Sequence, residues 1–306
     1  DGIKNVLGSS IGALFSVIFV LGYNAQEMEE LAYNEQFSLE ILSDLSPDSF
    51  LDLMDEYGLD SGCKLARFIK ILCKVKFGNQ DITFKELYDH SNIHLRILSF
   101  CIQDKKTVVF DHINYPSVPV SLVVRMSSSF PVYFKPVKWK GKHYIDGDIL
   151  RDYPLEIFKS SESLLFEMCG NRDEENSSFR DGENNFWEYI LNLFQSLYCK
   201  NYYNIFCIFP EFRKRRIIIP VSYQHFFNFD MSKGEIREII NIGYTETKSF
   251  VELNIINAKC DGGCEAGGEG GERGEGSGEA GGEGGERGEG SGEAGGGIES
   301  SGEAGG

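Results

Sequence analysis

The run Gly8-Ser9-Ser10-Ile11-Gly12 limits what this chain can become more than any other stretch. It stands between a short segment, Ile3–Leu7, that reads as a strand broken by Gly8, and an apolar run from Ile11 to Gly22 that reads as a buried helix stopped at Gly22. A serine flanked by glycines at a strand-to-helix turn fits a nucleophile elbow. There the tight turn strains the backbone at Ser10, and Cβ atoms at positions 8 and 12 would collide with neighbouring chain. The amide of Ile11, opening the helix, is then a natural oxyanion donor. Taken alone, the pattern also fits a plain strand–helix turn with a capping serine, so its setting decides between the two.

Downstream, helical and extended patterns interleave. A second helix is expected over Ala25–Tyr33, with Glu27, Glu29 and Glu30 in its first turns, where the helix dipole favours anions. Residues 46–76 read as helical, with Leu65, Phe68, Ile69 and Leu72 at helical spacing, and Thr83 to Glu86 fits a capping box. Leu95–Gln103 and Thr107–Phe110 read as neighbouring strands, and Val118–Val124 as a further one. Ser127–Ser129 before Phe130-Pro131 suggests a short helix. Trp139–Ile145 reads as a hairpin turning near Gly141 that delivers Asp146 at a strand end. Cys169–Glu183 is expected to be a loop and Trp187–Leu197 a helix. Tyr203–Phe209 and Arg216–Val221 are expected as strands, and Ser232–Leu253 as a closing helix with Ile236, Ile239, Ile240 and Tyr244 on one face. This alternation argues for an α/β sheet covered by helices on both faces.

From Ala258 the composition changes. Glu265–Gly278 repeats unchanged as Glu279–Gly292, a period of 14 residues dominated by Gly and Glu. With no apolar position beyond Ala it cannot bury a core, so residues 258–306 are expected to be a disordered tail after a domain over 1–257. The tail holds one Asp and eleven Glu against one Lys and two Arg, a net −9 of the chain's −17. So acidic a chain is a poor general binder of nucleic acid, which needs clustered Lys and Arg. Its eight cysteines show no paired short spacing with histidines, which argues against a zinc site, and are expected to be reduced, mostly buried thiols in a cytoplasmic protein. The run Ile11–Leu21 is shorter than the ~20 residues of a membrane span. Two basic groups, Lys135, Lys138, Lys140 and Lys142 near the hairpin and Arg213–Arg216, could meet a lipid surface peripherally.

Two ordered motifs give the chain a family likeness. Ser10-Ile11-Gly12-Ala13-Leu14, the apolar helix, Leu21-Gly22-Tyr23 and the acidic helix after it resemble the elbow region of the patatin-like phospholipases. Ser127-Ser-Ser-Phe-Pro131, Phe134-Lys-Pro136 and Tyr144-Ile-Asp146-Gly147-Asp148, followed by Tyr153-Pro154, resemble the family's second signature. The closing Phe229–Ser232, Ile242-Gly243-Tyr244 and Phe250 extend the likeness to roughly residues 3–255. Asp261-Gly262-Gly263 matches an Asp-Gly-Gly literally, but it lies in the tail with no strand before it.

The resemblance implies a three-layer α/β/α sheet with helices on both faces, and a Ser–Asp dyad in which Asp146 accepts the Ser10 proton directly. The elbow residues Gly8, Ile11 and Gly12 would serve the oxyanion, and Gly147 the acid's turn. None of the five histidines follows the acid as a triad would need. The activity implied is that of a calcium-independent lipid acyl hydrolase of phospholipase A type, acting on phospholipid or another acyl lipid through an acyl-enzyme, with no cofactor and no metal. Asp148 stands where the family has a small residue, and the family's Gly-rich oxyanion loop, expected upstream of Asp1, is not in these residues. Both keep open a catalytically impaired protein of the same fold that binds lipid or a protein partner. An esterase or thioesterase acting on soluble acyl substrates would share the same site.

Overall fold

The computed structural model describes residues 2–33, 49–150, 152–169, 189–190, 193–194, 196, 205–221 and 231–261. Its organising element is the strand β3 (His94–Cys101), eight residues long, apolar and largely buried. Three other strands pair with it. β1 (Asn5–Gly8) runs parallel along its first half, from Asn5 against His94 to Gly8 against Ile97. β4 (Lys106–Phe110) returns antiparallel, from Ile97 against Phe110 to Cys101 against Lys106. β7 (Lys142–Asp146) is antiparallel to the second half, from Ser99 against Asp146 to Cys101 against Tyr144, and carries β6 (Val137–Trp139) on its far side.

A strand has only two edges. Ile97 pairs with both β1 and β4, and Ser99 with both β4 and β7, so β1 and β7 share the edge opposite β4. They run toward each other and end on either side of Leu98. A Cβ on Gly147, the residue after β7, would stand 2.2 Å from the Leu98 carbonyl oxygen and 2.8 Å from Ser9 Oγ. Only glycine lets the second strand end this close to the first.

The sheet is curled and mixed, and packs with helices in one α/β core. α1 (Ile11–Val20) buries Ala13, Leu14, Val17, Ile18 and Val20. α2 (Ala25–Tyr33) and α3 (Ser49–Glu56) lead to a short strand, β2 (Gly58–Asp60), and then to α4 (Cys63–Phe77). α4 buries Leu65, Phe68, Ile69, Leu72 and Cys73, the face its spacing predicts. α5 (Phe84–Ser91) opens on the expected capping box between Thr83 and Glu86, and buries Phe84 and Leu87. α6 (Val120–Ser127) packs against β3, β7, α1 and α4. β2 pairs in parallel with β5 (Val132–Phe134), and β8 (Leu165–Cys169) with β9 (Arg216–Pro220). α7 (Lys233–Asp261) closes the described chain, with Ile236, Ile239 and Ile240 half-buried and Tyr244 exposed.

Three expectations are corrected. Val118–Val124 is not a strand: from Val120 it is helix α6, seven of whose eight residues are buried. A helix enclosed on all sides loses the polar face that betrays its period. The helical span over 46–76 is broken where Tyr57 takes φ 65° and β2 inserts. Tyr203–Phe209 is not a strand either, since its described residues 205–208 are helical. The expected loop over Cys169–Glu183, apart from Cys169 in β8, most of the helix over Trp187–Leu197, and the repeat tail lie outside the described residues. Of the described cysteines, Cys73 and Cys101 are buried while Cys63 and Cys207 are exposed, and none forms a disulfide. No described helix is long and apolar enough to cross a membrane.

The meeting of β1 and β7 at Leu98 makes a direct prediction. Gly147→Ala should cost about 3 kcal/mol or more, as overpacking against backbone does, and lower the urea midpoint accordingly. A midpoint equal to the parent protein's would contradict this close approach.

Candidate active site

The chain leaves β1 at Gly8 and enters α1 at Ile11, so only Ser9 and Ser10 make the turn. Ser10 takes φ 53° and ψ −127°, a conformation that strains a residue with a side chain, at about 1–3 kcal/mol. Hydrogen bonds hold it there. Its amide donates to Ser127 Oγ at 2.9 Å. Its carbonyl accepts from Ser128 Oγ at 3.2 Å and from the Ala13 amide at 3.0 Å. A Cβ at Gly8 would stand 2.5 Å from both the Gly12 carbonyl oxygen and Ser16 Oγ, so this glycine is needed, as expected. Gly12 differs from expectation, since a Cβ there meets nothing within 4 Å. It lies in the first turn of α1 with open space beside it. The motif's spacing requires a close approach at one of its glycines only.

The Ser10 amide is already bonded, whereas that of Ile11, first in α1, has no intrahelical carbonyl to reach. Ile11 is therefore the donor available next to Ser10, at the positive end of the helix dipole.

Asp146 ends β7 and is buried. Its Oδ2 accepts from Ser10 Oγ at 2.6 Å and its Oδ1 from the Asp148 amide at 2.7 Å. Its own amide donates to the Ser129 carbonyl at 2.9 Å, and that of Gly147 to the Ser127 carbonyl at 3.2 Å. Burial pushes the Asp146 carboxyl up to about 7, and the nearby Asp148 charge pushes the same way, against the hydrogen bonds from Ser10 and the Asp148 amide. Asp148 in turn accepts from the Tyr153 hydroxyl. A carboxyl titrating near neutrality, bonded to a strained serine beside a helix N-terminus, can take up and return a proton at that hydroxyl.

The residues singled out from the sequence thus come together: Gly8 ending β1, Ser10 on the turn, and Ile11 and Gly12 opening α1, with Asp146 and Gly147 opposite. Ser9 has a buried Oγ with no hydrogen-bond partner. No described histidine bonds to Ser10 or Asp146. His94 and His112 are grouped elsewhere, beside Asp111 at the start of β3. What sequence reasoning missed was the role of Ser127, Ser128 and Ser129. The signal was three consecutive hydroxyls at the end of an apolar run, since buried hydroxyls need partners. Of the basic group near the hairpin, Lys135 pairs with Glu56 and Lys142 with Asp104, so half of it is neutralised.

Comparison with known proteins follows the same residues. The family model described as patatin-like phospholipase matches residues 1–159, a stretch that holds both Ser10 and Asp146. Protein R571 of Acanthamoeba polyphaga mimivirus is 24% identical over 266 residues, covering 84% of this chain and 85% of the viral protein. "Probable lipid hydrolase 463L" of Invertebrate iridescent virus 6 is 24% identical over 157 residues, 51% of this chain and 53% of its own length. Among solved structures, VipD from Legionella pneumophila superposes with a TM-score of 0.45 at 15% identity, over 82% of this chain and 61% of its own.

The raised carboxyl has a cost in stability whose sign is definite. Between the ordinary Asp value of 3.8 and about 7, the folded protein holds a proton that the unfolded chain releases. Stability from this group is therefore fully present below 3.8 and is lost as pH rises through 7. Asp146→Asn keeps the shape without the charge. It should be more stable than the parent by a few kcal/mol at pH 8, with the gap narrowing steadily toward pH 4. Urea midpoints across that range check it; a gap independent of pH would contradict it.

Proposed function

The chain belongs to the patatin-like phospholipase family, and from that membership we propose that it hydrolyses the acyl esters of phospholipids or other acyl lipids through Ser10 and Asp146. The observation that carries the reading is the 2.6 Å hydrogen bond from the Ser10 hydroxyl to the buried Asp146 carboxylate. The viral relative named as a lipid hydrolase supports the substrate class.

In the proposed sequence Asp146 takes the Ser10 proton as Ser10 Oγ attacks the ester carbonyl carbon. The carbonyl oxygen gains charge and the Ile11 amide donates to it. The ester C–O bond then breaks, Asp146 returns its proton to the departing alkoxide, and the acyl group stays on Ser10. Water attacks the acyl-enzyme with Asp146 again accepting a proton. Fatty acid leaves, and the proton returns to Ser10. One carboxyl handles both half-reactions, and a value near neutrality suits a group that must accept and donate.

A fluorophosphonate probe tests the nucleophile. The protein should be labelled once, and Ser10→Ala should abolish labelling and lower ester turnover by about 10⁴-fold or more. A folded protein that takes no label would favour instead a lipid- or partner-binding protein of the same fold.

The pH dependence tests the base. Only ionised Asp146 can accept the proton, so kcat/KM should climb about tenfold per pH unit below 7 and level off above it. Asp148→Asn removes a charge that raises Asp146 and should shift this acid limb to lower pH. A limb that stays in place would mean that Asp148 does not act on the base.

A further inference from the structure

Neither β1 nor β7 pairs with the other, so the sheet alone does not fix the distance between Ser10 and Asp146. One segment bridges them. Ser127 ends α6, and Ser128 and Ser129 follow it. Ser127 Oγ accepts the Ser10 amide at 2.9 Å, and the Ser127 carbonyl accepts the Gly147 amide at 3.2 Å. Ser128 Oγ donates to the Ser10 carbonyl at 3.2 Å. The Ser129 carbonyl accepts the Asp146 amide at 2.9 Å. Each serine therefore bonds one of the two strand ends, and Ser127 bonds both.

The segment is itself anchored. Arg125, buried two residues before it, donates from Nη1 to Ser129 Oγ at 2.5 Å, and Ser129 Oγ donates back to the Arg125 carbonyl at 2.7 Å. The same guanidinium reaches the Ser61 carbonyl through Nε at 3.1 Å and Nη2 at 2.7 Å, and the Lys135 carbonyl through Nη2 at 2.8 Å. A Cβ at Gly62 would stand 1.9 Å from Arg125 Nε, so the chain beyond β2 closes over it. The anchor thus ties the segment to the chain flanking β2 and β5.

We infer that Ser127 is a positioning residue for Ser10, its hydroxyl holding the strained peptide so that the Ser10 hydroxyl stays on Asp146, while Ser128 and Ser129 hold the flanking backbone. The inference rests on the reading of Ser10 as nucleophile. The Ser10 backbone occupies a conformation it would leave without restraint, and the Ser127 hydroxyl restrains the peptide where that strain lies. Its bond also occupies the Ser10 amide, which leaves the oxyanion to Ile11. Losing it frees the turn to relax, and a misplacement of about 1 Å at a nucleophile can cost 10²-fold in rate.

The test compares Ser127→Ala with Ser121→Ala. Ser121 lies on the same helix, is equally buried, and has a hydroxyl without a hydrogen-bond partner. The readout is the rate constant for fluorophosphonate labelling, measured on the molecules that label and so independent of any unfolded fraction. Ser127→Ala should label about 10- to 100-fold more slowly, with kcat falling likewise and KM within twofold, and the acid limb of kcat/KM should move to higher pH, because a loosened Ser10 hydroxyl no longer draws the Asp146 carboxyl down. Ser121→Ala should label at the parent rate. Ser127→Cys, close in size but a poor acceptor, should be slowed nearly as much as Ser127→Ala, and it carries the test if the alanine variant does not fold.

A parent labelling rate in the folded Ser127 variant would overturn the positioning role, as would equal slowing in Ser121→Ala. Ser10→Ala separates the two levels. If it is silent while Ser127→Ala labels normally, only the positioning role falls. If Ser10→Ala still labels, the nucleophile reading falls and takes this inference with it.

Discussion

Two strands that end head to head on one edge of a third set the terms for everything else in this structure. β1 stops at Gly8 opposite Ile97, β7 stops at Asp146 opposite Ser99, and only Leu98 separates them. Neither strand can continue, so each chain must leave the sheet at the same place. One leaves through the strained turn at Ser10 into helix α1, the other through Gly147, where a Cβ would strike the Leu98 carbonyl. Two residues 136 positions apart in sequence are thereby brought within a hydrogen bond of each other. The distance in sequence is spanned by the register of β3.

That arrangement is electrostatically expensive. A carboxyl at the end of a buried strand, beside Asp148, is driven toward its neutral form, while two hydrogen bonds draw it back. Full stabilisation of the carboxylate would make it a weak base, and full burial without hydrogen bonds would keep it protonated. The balance leaves a group that titrates near neutrality, at a cost to folding that the surrounding core offsets. Strain at the Ser10 backbone is a second cost in the same few ångströms. Sites that carry function commonly hold such unfavourable features, and the Ser127–Ser129 segment, anchored by Arg125, lies where both have to be restrained.

Much of this was legible in the residues. The elbow could be read because a strand, a glycine-flanked serine and an apolar helix follow one another locally. The hairpin turning at Gly141 placed Asp146 at a strand end, but its pairing with Ser10 was implied by the family resemblance and not by any local pattern. The buried face of α4 and the capping box at Thr83 are local patterns too, and both are present. What was not legible depends on tertiary contact. α6 looks like a strand because it is enclosed on all sides and valine-rich. β2 interrupts a helical pattern because it has β5 to pair with, which no local rule reveals. Gly12 carries no steric burden although the motif suggests one, since crowding depends on what the rest of the chain brings near. The serines at 127–129 were visible as residues, but their work is to bond backbone atoms more than a hundred positions away at one end and at most twenty at the other.

Catalysis through Ser10 requires that its hydroxyl carry the acyl group, and Ser9 stands next to it. Ser10 is bonded to Asp146, while the Ser9 hydroxyl is buried without a partner. The most direct measurement is acid-quenched mass spectrometry of the protein during turnover of a fatty acyl ester, followed by fragmentation of the modified peptide. One acyl group should appear on Ser10, accumulating in the parent protein and absent in Asp146→Asn. Turnover with the acyl group on Ser9, or with no covalent adduct under conditions where deacylation limits the rate, would contradict it.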